Sequence, residues 1–405
     1  MIYHISTYEN SNICYDTSNN TFYIPNEGKI VFDFGITEHK NQIGIRISLG
    51  MACNMKCGYC SEKDNRTTYT RHLINAEKYA TALVQYIDKH FNKPDTLKIT
   101  FWGGEPLLYA DVMKDIHKEL VELLKDRDLE FGLSTNGLLL TGDNFRWLVD
   151  NDIHFAVSYD GPGQYIRSEN DILAHGTEQF ENLKWAMEND KIFSFNPVLH
   201  KGNPTLSGYE RFMQERFQRE YILIGDAPYM RWYNDSCEKF ALSPEQIQKD
   251  MFERLENIYN MRNMPSSFYT RLNRTMRAKK LVPFPCITTN REKYLSVDLN
   301  GDMWGCHNNV GQRTEECGGN LYGGNIYEDT KHIIPYVALT KRRETRCPDC
   351  LMRYMCGGSC GLTPERYTEQ NCIIAWYSNF PIFAAMVYYA TAGEHIFKVR
   401  AMEKQ

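Results

Sequence analysis

Two hydrophobic periods alternate along most of the chain. Residues 44–49 read as a buried strand, and residues 97–101, 129–134, 154–158 and 193–199 repeat that short apolar pattern. Between them, residues 76–90, 110–125, 141–151, 177–189 and 207–218 carry apolar positions at helical spacing, with Thr141 expected as an N-cap. A further strand is expected at 229–233 and a helix at 243–260. Repeated strand–helix units predict an α/β fold with a parallel sheet and helices outside it, closed as a barrel or doubly wound.

The pattern differs at both ends. Strand-like runs at 21–24 and 29–34 flank Pro25, Asn26 and Gly28, a hairpin signal, so residues 1–45 read as a small β-rich segment. Near Val282 the helix–strand rhythm stops, Pro283 and Pro285 intervene, and a cysteine- and glycine-rich region begins at Cys286. The expected division is 1–45, 46–285, 286–375 and a helical tail at 376–405. Residues 370–393 carry no charge and are long enough to span a bilayer. Asn371, Ser378, Asn379 and Pro381 argue instead for a buried helix, or two helices broken at the proline, and no membrane partner is expected.

Composition narrows the function. A net charge of −5 offers no general attraction for nucleic acid, and none is expected as a partner. The first ten residues lack the basic start and apolar run of a secretory signal, so a cytoplasmic location is expected. Thirteen cysteines in 405 residues would then meet a reducing environment. All but Cys14 and Cys237 fall in two clusters at metal-ligand spacings, which suits metal binding better than disulfides.

Cys53, Cys57 and Cys60 follow the first buried strand. Three thiolates in one loop can hold a four-iron cluster and leave one iron open, although zinc or an ordinary cluster with a distant fourth cysteine uses the same ligands. The spacing, with Tyr59 before the last cysteine, resembles that of the radical S-adenosylmethionine (SAM) superfamily. The resemblance implies a partial (β/α)6 TIM-like barrel. It also implies SAM bound to the open iron, and reductive cleavage to a 5′-deoxyadenosyl radical. Three further strand-end segments resemble family motifs. Gly103-Gly104-Glu105 implies contact with the methionine amino group, Ser134 and Asn136 with the ribose, and Ser158 and Asp160 with the cofactor; Arg167 stands where a cation for the SAM carboxylate is common.

The second cluster is similar to a SPASM domain, the extension of many peptide- and protein-modifying relatives. That resemblance implies two auxiliary four-iron clusters, three in all. Cys347, Cys350, Cys356 and Cys372 would hold one; Cys286, Cys306 and Cys360 the other, with Cys317 as the expected fourth ligand, or an iron open to substrate as the alternative, because Arg291 and Glu292 occupy the stretch where relatives have a cysteine. A zinc ribbon is the alternative for the four cysteines from Cys347 to Cys360. The resemblance extends to maturases of ribosomally made peptides (RiPPs) and to anaerobic sulfatase-maturating enzymes. A peptide cross-link or side-chain oxidation is the expected outcome; formylglycine formation is the rival, and a non-catalytic iron–sulfur electron carrier the third reading. Sulfatase-maturating relatives carry Asp after the cysteine equivalent to Cys306, whereas this chain has His307, the candidate catalytic base; Asp298, Asp302 and Tyr294 have no stronger claim. Expected partners are a peptide or protein substrate, a flavodoxin- or ferredoxin-like electron donor, and either a separate leader-binding protein or leader contact through the N-terminal hairpin.

Overall fold

The computed structural model describes residues 1–9, 11–25, 27–30, 42–69, 74–91, 94–260, 265–278, 294–310, 317–323, 341–391 and 393–401. Four short antiparallel strands open the chain: β1 (Ile2–Thr7), β2 (Asn12–Asp16), β3 (Thr21–Ile24) and β4 (Gly28–Lys29). The hairpin expected at 21–34 is β3–β4, and its residues 31–34 lie outside the described residues. The first two strands were not anticipated. Nor was the last, β13 (Ile396–Ala401), which the tail predicted as helical places antiparallel to β1. These form one five-stranded sheet, β13-β1-β2-β3-β4.

The larger sheet has the order β12-β11-β10-β5-β6-β7-β8-β9. Strands β5 (Gln42–Ser48), β6 (Thr96–Trp102), β7 (Asp128–Thr135), β8 (His154–Val157) and β9 (Ile192–Phe195) run parallel in that sequence. On the other side of β5 lies β10 (Tyr294–Asp298), also parallel, followed by antiparallel β11 (Asp302–Trp304) and β12 (Cys317–Asn320). The expected boundary at 285/286 therefore falls within the chain of one continuous sheet. The strand expected at 229–233 is reduced to one bridge, Leu199 with Tyr229.

Strand parity explains the layers, because successive side chains point to opposite faces. Ile45 and Ile47, Ile99 and Phe101, Leu133, Phe155, Leu295 and Val297 share one apolar core. That core is closed by helices α1 (Ala76–His90), α2 (Ala110–Leu123), α3 (Gly142–Asp150), α4 (Glu178–Glu188) and α5 (Leu206–Phe217). The alternate residues, Arg46 and Ser48, Thr100 and Trp102, Ser134, and Ser296, line the other face, which is polar. Thr141 occupies the N-cap of α3 as expected, but its side chain does not cap; Glu178 Oε1 accepts from Gly142 N at 2.7 Å instead.

Helices α6 (Pro244–Tyr259), α7 (Ser266–Arg277) and α8 (Thr368–Ala390) join the two sheets. Helix α8 runs unbroken through Pro381. The segment Glu365–Ala390 is long and apolar enough to cross a membrane. Its Phe383 packs with Tyr15 and Phe22 of the N-terminal sheet at ring-centroid distances of 5.4 and 5.9 Å, and all three are fully buried. Replacing Phe383 with Ala is expected to destabilise the fold by about 3–5 kcal/mol, read as a lower denaturation midpoint; an unchanged midpoint would show that α8 does not depend on this packing.

Candidate active site

The loop of Cys53, Cys57 and Cys60 leaves the end of β5 and is held from behind by the end of β6. Leu49 N donates to Trp102 O at 2.8 Å, Gly104 N to Gly50 O at 2.9 Å and Glu105 N to Ala52 O at 2.9 Å. This close approach requires the two glycines. A Cβ on Gly103 would lie 2.3 Å from Gly50 O, and one on Gly104 would lie 2.4 Å from Ala52 O; Gly103 also has φ +151°. Glu105 is buried, and its carboxylate accepts from Thr135 Oγ1 and Asn136 N at 2.7 Å and from Leu107 N at 3.2 Å. It thereby ties the end of β6 to the end of β7. Burial raises its pKa despite these three hydrogen bonds.

The three thiols face one another closely enough to interact electrostatically, and burial raises the pKa of Cys53 and Cys57. Asn136 reaches this loop: its Nδ2 donates to Asn54 Oδ1 at 2.7 Å and lies 3.8 Å from Cys53 Sγ. Arg66 hydrogen-bonds Cys60 and brings positive charge near all three cysteines. Ser134 and Ser158 stand half-buried at the ends of β7 and β8.

Asp160 is not open to a cofactor as expected, because protein groups surround its carboxylate. Its Oδ1 accepts from Val198 N at 2.9 Å and from Arg167 Nη1 at 3.4 Å; its Oδ2 accepts from Tyr59 OH and from His200 Nε2 at 3.0 Å. A carboxylate only accepts, so His200 carries its proton on Nε2, and its Nδ1 accepts from Gly202 N at 3.0 Å. Burial would raise the Asp160 pKa, but Arg167 and then His200 reverse this and hold it below the ordinary carboxylate value. Tyr59 is likewise engaged by this network, 5.2 Å from the His200 ring. Arg167 lies beside Cys57, and its buried Nε has no partner among the described residues.

In the C-terminal region, Cys347, Cys350, Cys356 and Cys372 come together as one group. Burial and the other three thiols push the Cys347 pKa up to about 11. Cys306 and Cys360 are brought together at Tyr233, whose OH lies 4.0 Å from Cys360 Sγ and whose pKa is raised by burial, then by Cys360 and Cys306. Cys286 lies outside the described residues. Cys317 lies on β12 opposite Trp304, its Sγ 3.3 Å from Gly319 O with Asp302 and Asp298 as charged neighbours. Among the described residues, no three Cys, His, Asp or Glu side chains close on one point as a single metal ion requires. Thiolates of a four-iron cluster each ride on a different iron and need not meet at one point.

Residues 47–205 match the family model of the Radical SAM superfamily. The radical SAM cyclopropyl synthase TigE of Paramaledivibacter caminithermalis is 27% identical over 39% of this chain and 35% of its own length. The GTP 3',8-cyclase of Staphylococcus epidermidis is 23% identical over 65% of the chain and 77% of its own. The chain thus spans about a third of the first relative. Among solved structures, anSMEcpe with bound AdoMet has a TM-score of 0.61 at 17% identity, covering 86% of this chain and 99% of that one. SuiB of Streptococcus suis bound to precursor peptide SuiA has a TM-score of 0.52 at 17% identity, covering 80% and 72%. Residues 47–205 form a radical SAM domain.

The groups that this domain would hold fit the residues present. Three thiols share one loop, Arg66 and Arg167 supply compensating positive charge, and Arg167 Nε is left free to meet a carboxylate. His307, the candidate base, lies across the sheet from the Asp160 network. Its Nε2 accepts from Arg46 Nη1 at 2.7 Å, and burial with Arg46 holds its pKa well below the usual histidine value. Arginine cannot accept, so the Nε2 lone pair that a base needs is already used. Asp298 has a pKa raised to about 6 by burial, yet its oxygens bind Trp304 Nε1, Asn300 N and Asp302 N. Sequence reasoning missed His200, Arg66 and Tyr233. Arg66 had a usable signal, a cation six residues after the triad; His200 had none. Asp160→Asn leaves Arg167 buried without its counter-charge and is expected to cost about 3 kcal/mol. The Asp160 pKa is lowered in the fold, so its contribution is complete above the unfolded carboxylate pKa of about 4 and is lost as pH falls through the lowered folded value. Thermal melts from neutral to acid pH should converge for wild type and D160N; a gap that stays constant would contradict the assignment.

Proposed function

We propose that this chain is a radical SAM peptide maturase that removes hydrogen from a ribosomally made peptide to form a cross-link or an oxidised side chain. The observation that carries the reading is the assembled group of Cys347, Cys350, Cys356 and Cys372, beside a second thiol pair at Tyr233. These thiols lie beyond the segment that would hold SAM and its cluster, which supports ligands for two further clusters. The likeness of the fold to SuiB, whose structure holds a precursor peptide, supports a peptide substrate. When bound, SAM and its cluster would supply a 5′-deoxyadenosyl radical for hydrogen abstraction.

The chain's residues divide the remaining work. Cys53, Cys57 and Cys60 would hold the first cluster in the loop pinned by Gly103 and Gly104. The Ser134 and Ser158 hydroxyls face the polar side of the sheet, where they suit sugar hydroxyls. Arg167 Nε would meet the SAM carboxylate. Cys306, Cys360 and Cys286 would hold one auxiliary cluster and the group around Cys347 the other. Tyr233 lies beside Cys360 and Cys306. A small electron carrier in a reducing cytoplasm would deliver electrons. The leader segment would bind a separate protein or add to an edge of the N-terminal sheet, where β4 and β13 are the outer strands.

A second reading, formylglycine formation on a sulfatase, is favoured by similarity to the serine-type anaerobic sulfatase-maturating enzyme of Bacteroides thetaiotaomicron, 29% identical over 29% of this chain. It is weakened by His307 at the position where sulfatase-maturating relatives carry Asp. Two measurements test the proposal. Anaerobically reconstituted protein should bind about twelve irons per chain, and Cys350→Ser should remove about four; four in the wild type would end the auxiliary-cluster reading. Incubation with SAM, dithionite and any short precursor peptide found encoded beside the gene should give a peptide lacking two hydrogens. An unchanged peptide, with a sulfatase peptide converted instead, would favour the second reading.

A further inference from the structure

The polar face of the large sheet holds a cluster of buried groups that the cofactor motifs do not use. Arg46 and Ser48 lie on β5, Trp102 ends β6, Ser296 lies on β10, and His307 follows β11. Register makes them neighbours: Ser296 is paired with Arg46, and Ser48 with Trp102. The Arg46 guanidinium stands 4.8 Å from the Trp102 ring centroid, and the His307 ring meets the same indole edge-on at 4.6 Å. Among the described residues, five buried polar atoms here have no hydrogen-bond partner: Arg46 Nε, Ser48 Oγ, Trp102 Nε1, Ser296 Oγ and His307 Nδ1. Ser48 and Ser296 are each only 2% exposed, and His307 9%.

The chemistry of these atoms is one-sided. Arg46 Nε and Trp102 Nε1 can only donate. Because His307 Nε2 accepts from Arg46, its Nδ1 carries the ring proton and also donates. The two hydroxyls can donate as well. Among the described residues no Asp or Glu pairs with Arg46. A buried set of donors around one positive charge is unsatisfied in itself and complementary to a single anion. One cation suits a carboxylate better than the several charges of a nucleoside triphosphate.

We propose that Arg46, Ser48, Trp102, Ser296 and His307 form a carboxylate-binding subsite that anchors the substrate beside the cofactor. Trp102 immediately precedes Gly103-Gly104-Glu105, so the anchored group lies on the β5–β10 side of the cofactor motif. His307 acts there as a donor set in its tautomer by Arg46, which makes it a positioning residue. The source of the carboxylate, an acidic side chain or a peptide C-terminus, rests on the peptide reading; the subsite itself does not.

Three small probes separate these possibilities by calorimetric titration into the anaerobically reconstituted holoprotein. N-acetylglutamate α-amide offers only a side-chain carboxylate, N-acetylglutamine only an α-carboxylate, and N-acetylglutamine amide neither. At least one carboxylate probe should bind saturably, the neutral probe should not, and Arg46→Gln should weaken binding about tenfold or more. Ser296→Ala, which removes one oxygen, guards against misfolding of the first variant and should give a smaller loss. The probe that binds identifies the source. The subsite is overturned if no probe binds, if the neutral probe binds as well, if both variants bind like wild type, or if inorganic phosphate binds more tightly than either carboxylate. The assay needs neither turnover nor peptide. Carboxylate binding here, together with an unchanged peptide in the SAM and dithionite incubation, would therefore sink the peptide reading and leave the subsite standing.

Discussion

Two backbone hydrogen bonds, from Gly104 N to Gly50 O and from Glu105 N to Ala52 O, fix the cysteine loop against the end of β6. They continue the β5–β6 pairing beyond both strands and deliver Cys53 to the strand ends. Side chains on residues 103 and 104 would push the two backbones apart. Glu105 extends the same restraint to β7 through Thr135 and the backbone of Asn136, whose side chain returns to Asn54. The cysteine loop is thus positioned by neighbouring strand ends, with little dependence on its own conformation. That economy suits a loop whose own donors must be left free for a cluster.

Below this frame the sheet separates two environments. Its outer face is continuous hydrocarbon against the helices, and its inner face carries charge and hydroxyls. The Asp160 network and the Arg46–His307 cluster lie on opposite sides of this inner face, and they use charge differently. Asp160 is saturated by Arg167, His200, Tyr59 and Val198, which makes it structural. The Arg46 cluster has donors to spare, which makes it receptive. Asp160, expected as a cofactor contact, is enclosed by protein donors, and His307, expected as a base, accepts from Arg46.

Much of this was legible in the sequence because local patterns carried it. The helices from residue 76 to 260 fall where apolar spacing places them, and the cysteine triad and glycine motif follow strands as expected. Non-local features were not legible. Strands β1 and β2 are short and mix polar with apolar residues, and β1 is completed by β13 from the far end of the chain. Strand β10 joins β5 across some 250 residues, so a boundary drawn from a change in composition could not reveal a continuous sheet. His200 carries no motif, and only the fold brings it to Asp160. The tautomer of His307 depends on Arg46, a partner 261 positions away.

The central claim is that the loop of Cys53, Cys57 and Cys60, held by the strand ends, performs reductive SAM cleavage. It is tested most directly by mixing the anaerobically reconstituted, iron-loaded protein with SAM and dithionite and quantifying 5′-deoxyadenosine. The account predicts 5′-deoxyadenosine from the wild type and none from Cys57→Ser. A fully loaded wild type that forms none, or a C57S variant that forms as much, would contradict it.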